Sequence, residues 1–452
     1  MHAFRFGKEG TMGPLMNRRQ FIRSSSAGAV VTASLAGSGR GSALQRNAET
    51  VRIGVVGLGP RGRWHVRNLL EYQEGVTVPA VCDYRPERAA LTVDLVKKLK
   101  GYAPETYTRD DHDYLHMLER NDLDGIIVAT DVFSLGTISV DCLKAGKHVG
   151  IEIAGCHTIE ECHSLVEEYE RSRRQCMLLE NCCYGDENMM VVNMLKQGLF
   201  GDPYFAVGSY VHDCRDLFFD AEGKITWRGE LWRDAYGSSY PQHGLGSACK
   251  WLSINDGDRM EYCQAAMTTP QEAHAWAVRK FGPDSPAARV DFKTGDFVTT
   301  LISTAKGRNI RIDYSLSNTR PYSRYYLLQG MNGCWDSRTG IFLRGEEPTQ
   351  GEAWVPLAQY KEKYQHRYWR KDGELARQSG GHEGIDFFCI YDFVEMVRSG
   401  KTPWIDAYDA ASWSSLIHCT RLSLDRNGAR VAMPDFTGGR WKDPEWRKAQ
   451  QV

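Results

Sequence analysis

Three glycines and an aspartate near residue 60 have the spacing of a dinucleotide site. Gly57, Gly59 and Gly62 form a G-x-G-x-x-G pattern after the β-forming run VRIGVV, and Asp83 ends a second such run about twenty residues later. These glycines permit a sharp turn and the close approach of a pyrophosphate. The helix that follows offers backbone N–H groups from Arg61 onward to the pyrophosphate. The carboxylate of Asp83 can accept hydrogen bonds from ribose hydroxyls. We predict a dinucleotide site here; the plainer alternative is a glycine-rich βα turn beside a strand-end aspartate.

The elements that must position these groups alternate in type through residues 49–184. Short apolar runs and helix-compatible segments follow one another, which predicts parallel βαβ units in a doubly wound Rossmann sheet. Ligands of such sheets bind at the carboxyl ends of the strands. After Asp83, those ends carry Thr130, Glu152 and Asn181, with Tyr184 just beyond. Thr130, Glu152 and Asn181 therefore join the predicted cofactor site.

Residues 185–452 show a different pattern. Strand-like stretches such as YFAVGSYVHD and NIRIDYSL suggest an open, mainly antiparallel sheet with one solvated face. Two amphipathic helices, each closed by glycine, come near the C-terminus. We predict an α/β fold with a Rossmann domain at 49–184 and an α+β substrate-binding domain at 185–452, whose C-terminal helices pack back toward the first domain. The sheet face would suit a homodimer or a higher homo-oligomer.

The first 48 residues have the layout of an export signal followed by a linker. Arg18 and Arg19 precede Phe21, a weakly apolar stretch at 27–35 and small residues up to Ala43, which is typical of the twin-arginine route. The apolar stretch is too short to hold the chain in a bilayer. We predict a periplasmic or secreted protein without a membrane span; the alternative is a disordered basic N-terminus on a cytoplasmic protein.

Composition argues against several classes of partner and ligand. Lys and Arg number 56 against 57 Asp and Glu, which leaves a formal charge of -1 and no general attraction to nucleic acid or an anionic membrane. The 13 cysteines are odd in number and irregular in spacing, so they fit neither a disulfide scaffold nor a zinc site. No metal is predicted.

Several of these features together resemble the Gfo/Idh/MocA oxidoreductases. The resemblance rests on the glycine turn, Asp83, an AGKHV turn at 145–149 followed by Glu152, and the second sheet domain. Most members of that superfamily read Glu-Lys-Pro after the AGKHV strand, where this chain reads Glu152, Ile153 and Ala154. The lysine serves sugar oxidation in those members, so its absence points away from an ordinary sugar dehydrogenase.

Seven further motifs resemble one branch of that superfamily, glycoside hydrolase family 109, the NAD-dependent α-N-acetylgalactosaminidases. In chain order they are GPRGRWH (59–65), LENCCYG (179–185), LWR (231–233), YPQHG (240–244), NTRPY (318–322), GGHEG (380–384) and PDFTGGRW (434–441). Relatives usually read YPTHG and GGHGG, so Gln242 and Glu383 are departures that bear on substrate preference. The resemblance implies a tightly bound NAD and, as substrate, a terminal N-acetylhexosamine of a glycan.

The resemblance also implies a reaction without net redox change. NAD+ takes hydride from carbon 3 of the sugar, the ketone acidifies the proton at carbon 2, the aglycone leaves carbon 1, and water and hydride are then added back. The implied catalytic residues are His243, because imidazole titrates near neutral pH, and Tyr184, as a group whose pKa the cofactor lowers. The implied sugar ligands are Glu152, Arg233, Tyr240 and Tyr322.

Each of these residues also has a plainer role open to it. Lone tyrosines are more often core or surface aromatics than catalysts, Arg233 beside Trp232 would be a surface cation, and His382 and Glu383 would cap a helix. Two other functions fit the same fold. One is an oxidoreductase that releases a keto-sugar and NADH, and the other is a non-catalytic sugar-binding protein.

Overall fold

The computed structural model describes residues 50–345, 351 and 353–446. The predicted twin-arginine signal lies outside the described residues, so export stays a prediction. Within these ranges, every helix is too short or too polar to cross a lipid bilayer.

The first part of the chain forms the predicted parallel sheet. Its strands are β1 (Val51–Val56), β2 (Val76–Cys82), β3 (Glu105–Tyr107), β4 (Gly125–Val128), β5 (His148–Ile151) and β6 (Cys176–Leu178). They lie in the order β3-β2-β1-β4-β5-β6 and all pair in parallel, which is the doubly wound Rossmann order. The four residues of β4 are all buried, as layers of helices on both faces of a parallel sheet require.

Five helices connect these strands. They are α1 (Pro60–Tyr72), α2 (Pro86–Lys100), α3 (Tyr114–Leu118), α4 (Leu135–Lys144) and α5 (Ile159–Ser172). Both α1 and α2 begin with proline, whose fixed φ suits the first helical position. A reciprocal capping box between Thr158 and Glu161 starts α5. The N-cap of α1 is Gly59, which offers no side-chain cap, so the first N–H groups of α1 are left for a ligand.

The second sheet is mixed and mainly antiparallel, as predicted. Its strands are β7 (Pro203–Val211), β8 (Met260–Met267), β9 (Val298–Thr304), β10 (Asn309–Ser315), β11 (Ser323–Gly330), β12 (Gly333–Asp336), β13 (Gly340–Leu343) and β14 (Val431–Ala432). They lie in the order β13-β12-β11-β7-β10-β9-β8-β14, and of these eight strands only β7 and β10 are parallel neighbours. Along β9 buried and half-buried residues alternate. The predicted homo-oligomer stays a prediction.

Eight further α-helices lie in the second part of the described chain. They are α6 (Asp186–Lys196), α7 (Trp227–Asp234), α8 (Gln242–Trp251), α9 (Glu272–Phe281), α10 (Lys361–Tyr364), α11 (Arg367–Ser379), α12 (Ile385–Ser399) and α13 (Ala407–Asp425). The segment between α12 and α13 joins the first sheet, because the N–H of Leu178 donates to the carbonyl of Ile405 at 3.2 Å. A Cβ added to Gly150 on β5 would lie 2.8 Å from the ring of Phe393 on α12. The domain boundary at residues 184 and 185 stays a prediction.

Strand register brings the second sheet and α8 to the same place. On β7 and β11, Gly208 is opposite Tyr326, and Tyr210 is opposite Arg324, so these four residues share one face. A Cβ on Gly208 would overlap the carbonyl of Gly244, and glycine therefore lets α8 lie directly on β7. The first turn of α8 is thereby held over the face that carries Tyr210 and Arg324.

Candidate active site

The glycine turn has the shape that a pyrophosphate site needs. Gly57 has φ +87°, and a Cβ there would lie 2.6 Å from the main chain of Ala129. A Cβ on Gly62 would overlap the carbonyl oxygen of Gly57, so both positions are closed to side chains by the protein itself. At Gly59 the nearest such atom is a guanidinium nitrogen of Arg88 at 3.8 Å. The side of the turn at Gly59 is therefore open, and it lies at the start of α1.

Asp83 lies beside this turn and is bonded to it. It is buried, its Oδ2 accepts the N–H of Leu58 at 2.7 Å, and its Oδ1 accepts the N–H of Arg85 at 2.9 Å. Each carboxylate oxygen can accept a further hydrogen bond, so ribose hydroxyls fit. Thr130, after β4, is half-buried and takes a hydrogen bond from the hydroxyl of Ser134 at 3.0 Å. The open turn and the adjacent carboxylate together fit an NAD.

Alanine substitutions at Gly62 and Gly59 separate the structural role of the turn from its role in binding the pyrophosphate. Gly62→Ala forces main-chain movement, so we expect a loss of about 1–3 kcal/mol in the free energy of unfolding together with loss of NAD. Gly59→Ala meets no protein atom closer than 3.8 Å, so we expect NAD affinity to fall with little change in stability. Thermal unfolding and titration with NAD measure both. Undiminished NAD affinity in Gly59→Ala would contradict the assigned pyrophosphate position.

A buried network of charges joins α1 to the end of β5 and to the first turn of α12. The Nε of Arg61 donates to Glu152 at 2.6 Å, and Nη1 and Nη2 of Arg61 donate to Asp386 at 2.8 and 3.1 Å. His65 Nε2 lies 2.6 Å from Glu152 Oε1, and the amide of Asn181 donates to Asp386 at 2.6 Å. The structure thus brings together the predicted residues Arg61, Glu152 and Asn181. It adds Asp386, which the motifs did not single out.

The charge states in this network follow from the pairing. Burial opposes ionisation of Glu152, but Arg61 and His65 outweigh burial and lower the pKa of Glu152 to about 2. Asp386 is likewise buried, and Arg61 and His382 hold its pKa well below the usual range. Burial and Arg61 lower the pKa of His65. The network therefore contains two carboxylates and the Arg61 guanidinium at neutral pH.

A second cluster lies at the end of β6, where a 3₁₀ turn spans Asn181–Tyr184. Glu180 is fully buried, and its Oε1 lies 2.9 Å from Nδ1 of His243 while accepting the N–H of Cys182 at 2.8 Å. Cys182 Sγ lies 3.2 Å from the same Nδ1. Because the cluster occupies Nδ1, the Nε2 of His243 is the ring nitrogen left to meet a substrate. A carboxylate that fixes an imidazole in this way is the arrangement used in acid–base catalysis.

His243 does not titrate near neutral pH, which corrects the sequence-based expectation. Burial disfavours the imidazolium, but Cys182 and Glu180 outweigh burial and raise the pKa of His243 to about 10. His243 is therefore a cation throughout the neutral range. It is suited to donate a hydrogen bond or to stabilise an oxyanion rather than to accept a proton.

Aromatic rings surround His243 on the side of the second sheet. The ring centroid of His243 lies 4.6 Å from that of Tyr210 and 5.4 Å from that of Tyr240. Tyr322 packs edge-on against Tyr210 and His212, and 44% of Tyr322 is exposed. Of the predicted sugar ligands, Tyr240 therefore packs on His243 directly, and Tyr322 is linked to His243 through Tyr210. Aromatic faces beside polar groups are a common lining of small-ligand sites.

Two hydrogen bonds tie this cluster to the strand end that carries Glu152. Tyr240 donates to the carbonyl of Ile153 at 3.3 Å, and the amide of Gln242 donates to the carbonyl of Ala154 at 2.7 Å. The peptide bond between Ile153 and Ala154 is cis. The YPQHG segment is therefore docked on the Glu-Ile-Ala segment, and Gln242 has a structural bond at the position where relatives usually have threonine.

The GGHEG segment forms a turn of unusual conformation beside the charge network. All five residues at 380–384 have positive φ, including His382 (+50°) and Glu383 (+65°). A Cβ on Gly381 would overlap the ring of Trp64, so this turn lies against the GPRGRWH motif. The side chain of His382 is 51% exposed, and its Nδ1 lies 3.0 Å from Asp386 Oδ2. His382 and Asp386 therefore form a second carboxylate–imidazole pair, which is more than a helix cap.

Two predicted site residues are not brought to His243. Tyr184 is fully buried, and its hydroxyl donates to Asp392 at 2.8 Å. Burial, with Asp392 nearby, raises the pKa of Tyr184 well above the usual value, whereas the sequence-based hypothesis required a lowered one. Arg233 on α7 pairs with its neighbour Asp234 at 2.8 Å, which is the surface pairing of the plainer alternative. These placements favour structural roles for both residues.

Tyr184→Phe tests the placement of this tyrosine. The substitution removes one of two tyrosine hydroxyls that donate to the half-buried Asp392, the other being that of Tyr368. We expect a loss of about 1–3 kcal/mol in stability and a kcat within a few-fold of the wild type. Urea unfolding and steady-state kinetics measure the two effects. A kcat lower by orders of magnitude in a folded, NAD-loaded variant would restore the catalytic role.

Comparison with known proteins gives matches over nearly the whole described chain. A family model described as glycosyl hydrolase 109, C-terminal domain, matches residues 184–443, and one described as oxidoreductase family, NAD-binding Rossmann fold, matches residues 51–179. A glycosyl hydrolase family 109 protein of Solibacter usitatus is 36% identical over 425 residues, which cover 91% of this chain and 96% of that protein. An alpha-N-acetylgalactosaminidase of Shewanella oneidensis is 34% identical, covering 87% of this chain and 86% of the relative.

Solved structures show the same fold at lower identity. An oxidoreductase domain protein from Kribbella flavida superposes with a TM-score of 0.65 at 17% identity, covering 85% of this chain and 100% of that one. A levoglucosan dehydrogenase in complex with NADH superposes with a TM-score of 0.63 at 14% identity, covering 85% of this chain and 99% of the dehydrogenase chain. These similarities establish that the chain shares its fold with those proteins.

Proposed function

The chain belongs to glycosyl hydrolase family 109, and from this premise we propose that it hydrolyses terminal, α-linked N-acetylgalactosamine from glycans with an NAD that stays bound. That the protein is a glycosidase and that its Rossmann domain binds NAD follow from the family matches. The choice of sugar rests on the relative named alpha-N-acetylgalactosaminidase. The observation that carries the proposal is the Glu180–His243 pair beside the strand end of Glu152.

Bound NAD would supply a hydride acceptor for carbon 3 of the sugar and return the same hydride at the end of the cycle. Gly57, Gly59, Gly62 and the start of α1 would hold its pyrophosphate, and Asp83 its ribose. With a ketone at carbon 3, removal of the carbon 2 proton places negative charge on the carbon 3 oxygen. The His243 imidazolium, fixed by Glu180, would stabilise that oxygen through Nε2.

His382 is the residue we assign to proton transfer. Its imidazole is half exposed and is oriented by Asp386 through Nδ1, which leaves Nε2 to exchange protons with the carbon 2 position or the leaving oxygen. His382 and His243 thus have different roles, since the His382 side chain is accessible and His243 is a cation throughout the neutral range. Tyr240 and Tyr322 would contact the sugar ring, and Glu152 would face sugar and cofactor from within the Arg61 network.

The function is tested with the protein as purified and no added cofactor. Incubation with p-nitrophenyl α-N-acetylgalactosaminide is expected to release p-nitrophenol over many turnovers per molecule, because the hydride is returned in each cycle. The matching galactoside, which lacks the acetamido group, and the β-linked N-acetylgalactosaminide serve as comparison substrates. Dinucleotide released on denaturation counts the retained NAD.

Three results would count against the proposal in different ways. NADH absorbance that rises in proportion to enzyme, with a keto-sugar product, would indicate an oxidoreductase. Sugar binding without phenol release would indicate a binding protein. Faster release from the galactoside than from the N-acetyl sugar would keep the glycosidase and overturn the assigned substrate.

A further inference from the structure

Arg324 on β11 is a half-buried arginine that reaches the cluster around His243. Its Nη1 donates to Sγ of Cys182 at 3.3 Å, and the same sulfur lies 3.2 Å from Nδ1 of His243. Strand register directs the side chain there, since Arg324 is opposite Tyr210, whose ring centroid lies 4.6 Å from that of His243. The guanidinium carbon is 5.4 Å from the ring centroid of Tyr322. Arg324 therefore lies between the partly exposed Tyr322 and the buried Cys182.

Most of the hydrogen-bonding capacity of Arg324 is not used within the described part of the chain. A guanidinium has five N–H donors and stays protonated in proteins. Among the described residues, Cys182 accepts the one hydrogen bond of this side chain, and no carboxylate forms an ion pair with it. A thiol sulfur is a weak acceptor. Because a charge taken partly out of water needs strong acceptors, the remaining N–H groups of Arg324 are suited to bind an oxygen of a ligand.

Two arginines that the sequence motifs indicated differ from Arg324 in this respect. Arg61 already donates to two carboxylates. Arg233, predicted as a sugar ligand, pairs with the neighbouring aspartate and is not brought to His243. Arg324 stands two residues after the NTRPY motif, and the shared contact with Cys182 brings it to His243. Arg324 thus has the position and the free donors that Arg233 lacks.

The position of Arg324 beside His243 decides which part of the sugar it meets. Under the proposed function, Nε2 of His243 stabilises the oxygen on carbon 3. The acetamido group is on carbon 2, the next ring atom, and its carbonyl oxygen is a strong hydrogen-bond acceptor. The roles assigned so far concern the carbon 3 oxygen, the transferred proton and the sugar ring, and they leave the acetamido group without a partner. Arg324 is the neighbouring donor that can fill this place.

We propose that Arg324 selects the N-acetyl sugar by donating a hydrogen bond to the acetamido carbonyl oxygen. The inference rests on the proposed function, which places carbon 3 at His243. A hydroxyl on carbon 2 is too short to reach where the carbonyl oxygen of the acetamido group would lie. An ammonium on carbon 2 would be repelled by the guanidinium. The site should therefore bind N-acetylgalactosamine more tightly than galactose, and galactose more tightly than galactosamine in its ammonium form.

Calorimetric titration of the full, NAD-loaded chain with free N-acetylgalactosamine and galactose tests this contact. Arg324→Gln removes the charge and the planar fork of donors. We expect its affinity for N-acetylgalactosamine to fall about 10- to 100-fold, the contribution of a hydrogen bond to a charged group, and its affinity for galactose to stay within a few-fold. Arg338→Gln is the matched control, because exposed Arg338 stacks on Tyr325 and donates to Ser323, residues that point to the opposite face of β11. It should change neither affinity.

A change in the ligand tests the same contact without relying on a variant. N-thioacetylgalactosamine has a sulfur, a weak acceptor, in place of the carbonyl oxygen. The wild type should bind it about tenfold more weakly than the acetyl sugar, whereas Arg324→Gln should bind the two alike. A wild type that does not distinguish them, or a variant that loses equal affinity for galactose and N-acetylgalactosamine, would overturn the assignment.

The binding readout keeps this inference separable from hydrolysis. An acetyl preference that depends on Arg324, in a protein that releases no phenol from its glycoside, would support the contact and count against the proposed hydrolysis alone. Phenol release with unchanged sugar affinities in Arg324→Gln would do the reverse.

Discussion

Replacing Glu180 by Gln should lower kcat about 10²- to 10³-fold, the range expected when a group that stabilises an oxyanion is lost. The substitution preserves size and keeps a hydrogen-bonding side chain, so the change is one of charge. Glu180 is fully buried and holds both the N–H of Cys182 and Nδ1 of His243. Without the carboxylate, the imidazole loses its orientation and the main carboxylate partner of its positive charge. Steady-state kinetics with the N-acetylgalactosaminide measure the loss.

The pH profile gives a readout that a merely structural role would not change. Glu180 and Cys182, against the effect of burial, raise the pKa of His243 from 6.5 to about 10. A raised pKa means that the stabilising charge is fully present below pH 6.5 and is lost as pH rises through about 10. Activity that needs the imidazolium should therefore fall near pH 10 in the wild type. In Glu180→Gln the alkaline limb should move to lower pH.

A matched control keeps this prediction specific. Glu187 lies seven residues later on the exposed side of α6, and Glu187→Gln should leave kcat and the alkaline limb unchanged. The hydrogen bonds of the Glu180 side chain go to Cys182 and His243 and not to the glycine turn, so NAD retention should match the wild type in both variants. A kcat of Glu180→Gln within a few-fold of the wild type would remove the dyad from the reaction.

Local rules explain which features of the fold could be predicted from the sequence. At Gly62 the steric limit is local, because a Cβ would overlap the carbonyl of Gly57, and at Gly57 it comes from Ala129 after the neighbouring strand β4. The parallel sheet follows from the alternation of short apolar runs with helical segments. Asp83 follows from its position at a strand end beside that turn. Each of these features depends on residues that are close along the chain or that the order of the strands places side by side.

Local sequence patterns do not identify contacts between residues that lie far apart along the chain. Arg61 and Asp386 are 325 residues apart, and neither has a local signal that names the other. Glu180 stands within the LENCCYG motif, yet the motif does not tell which of its side chains faces His243. In the 3₁₀ turn at 181–184, Cys182 points to His243 while Tyr184 points to Asp392. The direction of each side chain there depends on tertiary packing.

Replacing Arg61 by Leu should lower the free energy of unfolding by about 3–5 kcal/mol, the cost of leaving buried charges unpaired. Asp386 has a fully buried side chain, and that of Glu152 is 9% exposed. Arg61 is the cation that faces both, and it holds α1, the end of β5 and the first turn of α12 together. Since α1 begins at the proposed pyrophosphate site, NAD should be lost together with stability. Urea unfolding and released dinucleotide measure the two effects.

The control for this loss is on the same helix. Arg67 pairs with Glu71 at the protein surface, with 38% of its side chain exposed, and such i,i+4 pairs contribute only about 0.2–0.5 kcal/mol. Arg67→Leu should therefore change stability little and leave NAD in place. If the two variants lose equal stability, a general effect of leucine on α1 would replace the charge network as the cause.

Removing the second charge as well tests whether pairing is the cause. Asp386→Leu alone leaves Arg61 with one carboxylate partner, whereas the double variant with Arg61→Leu and Asp386→Leu removes both members of the pair. The double variant should therefore lose less stability than the sum of the single losses.

Unfolding at low pH is a second test of the same network. The depressed pKa values of Glu152 and Asp386 stabilise the fold above pH 4.5, and this contribution is lost as pH falls toward 2. Arg61→Leu should therefore unfold at a higher pH than the wild type during acidification. If the stability losses of the two single variants are additive and the pH of acid unfolding is unchanged, the network does not hold the three elements together.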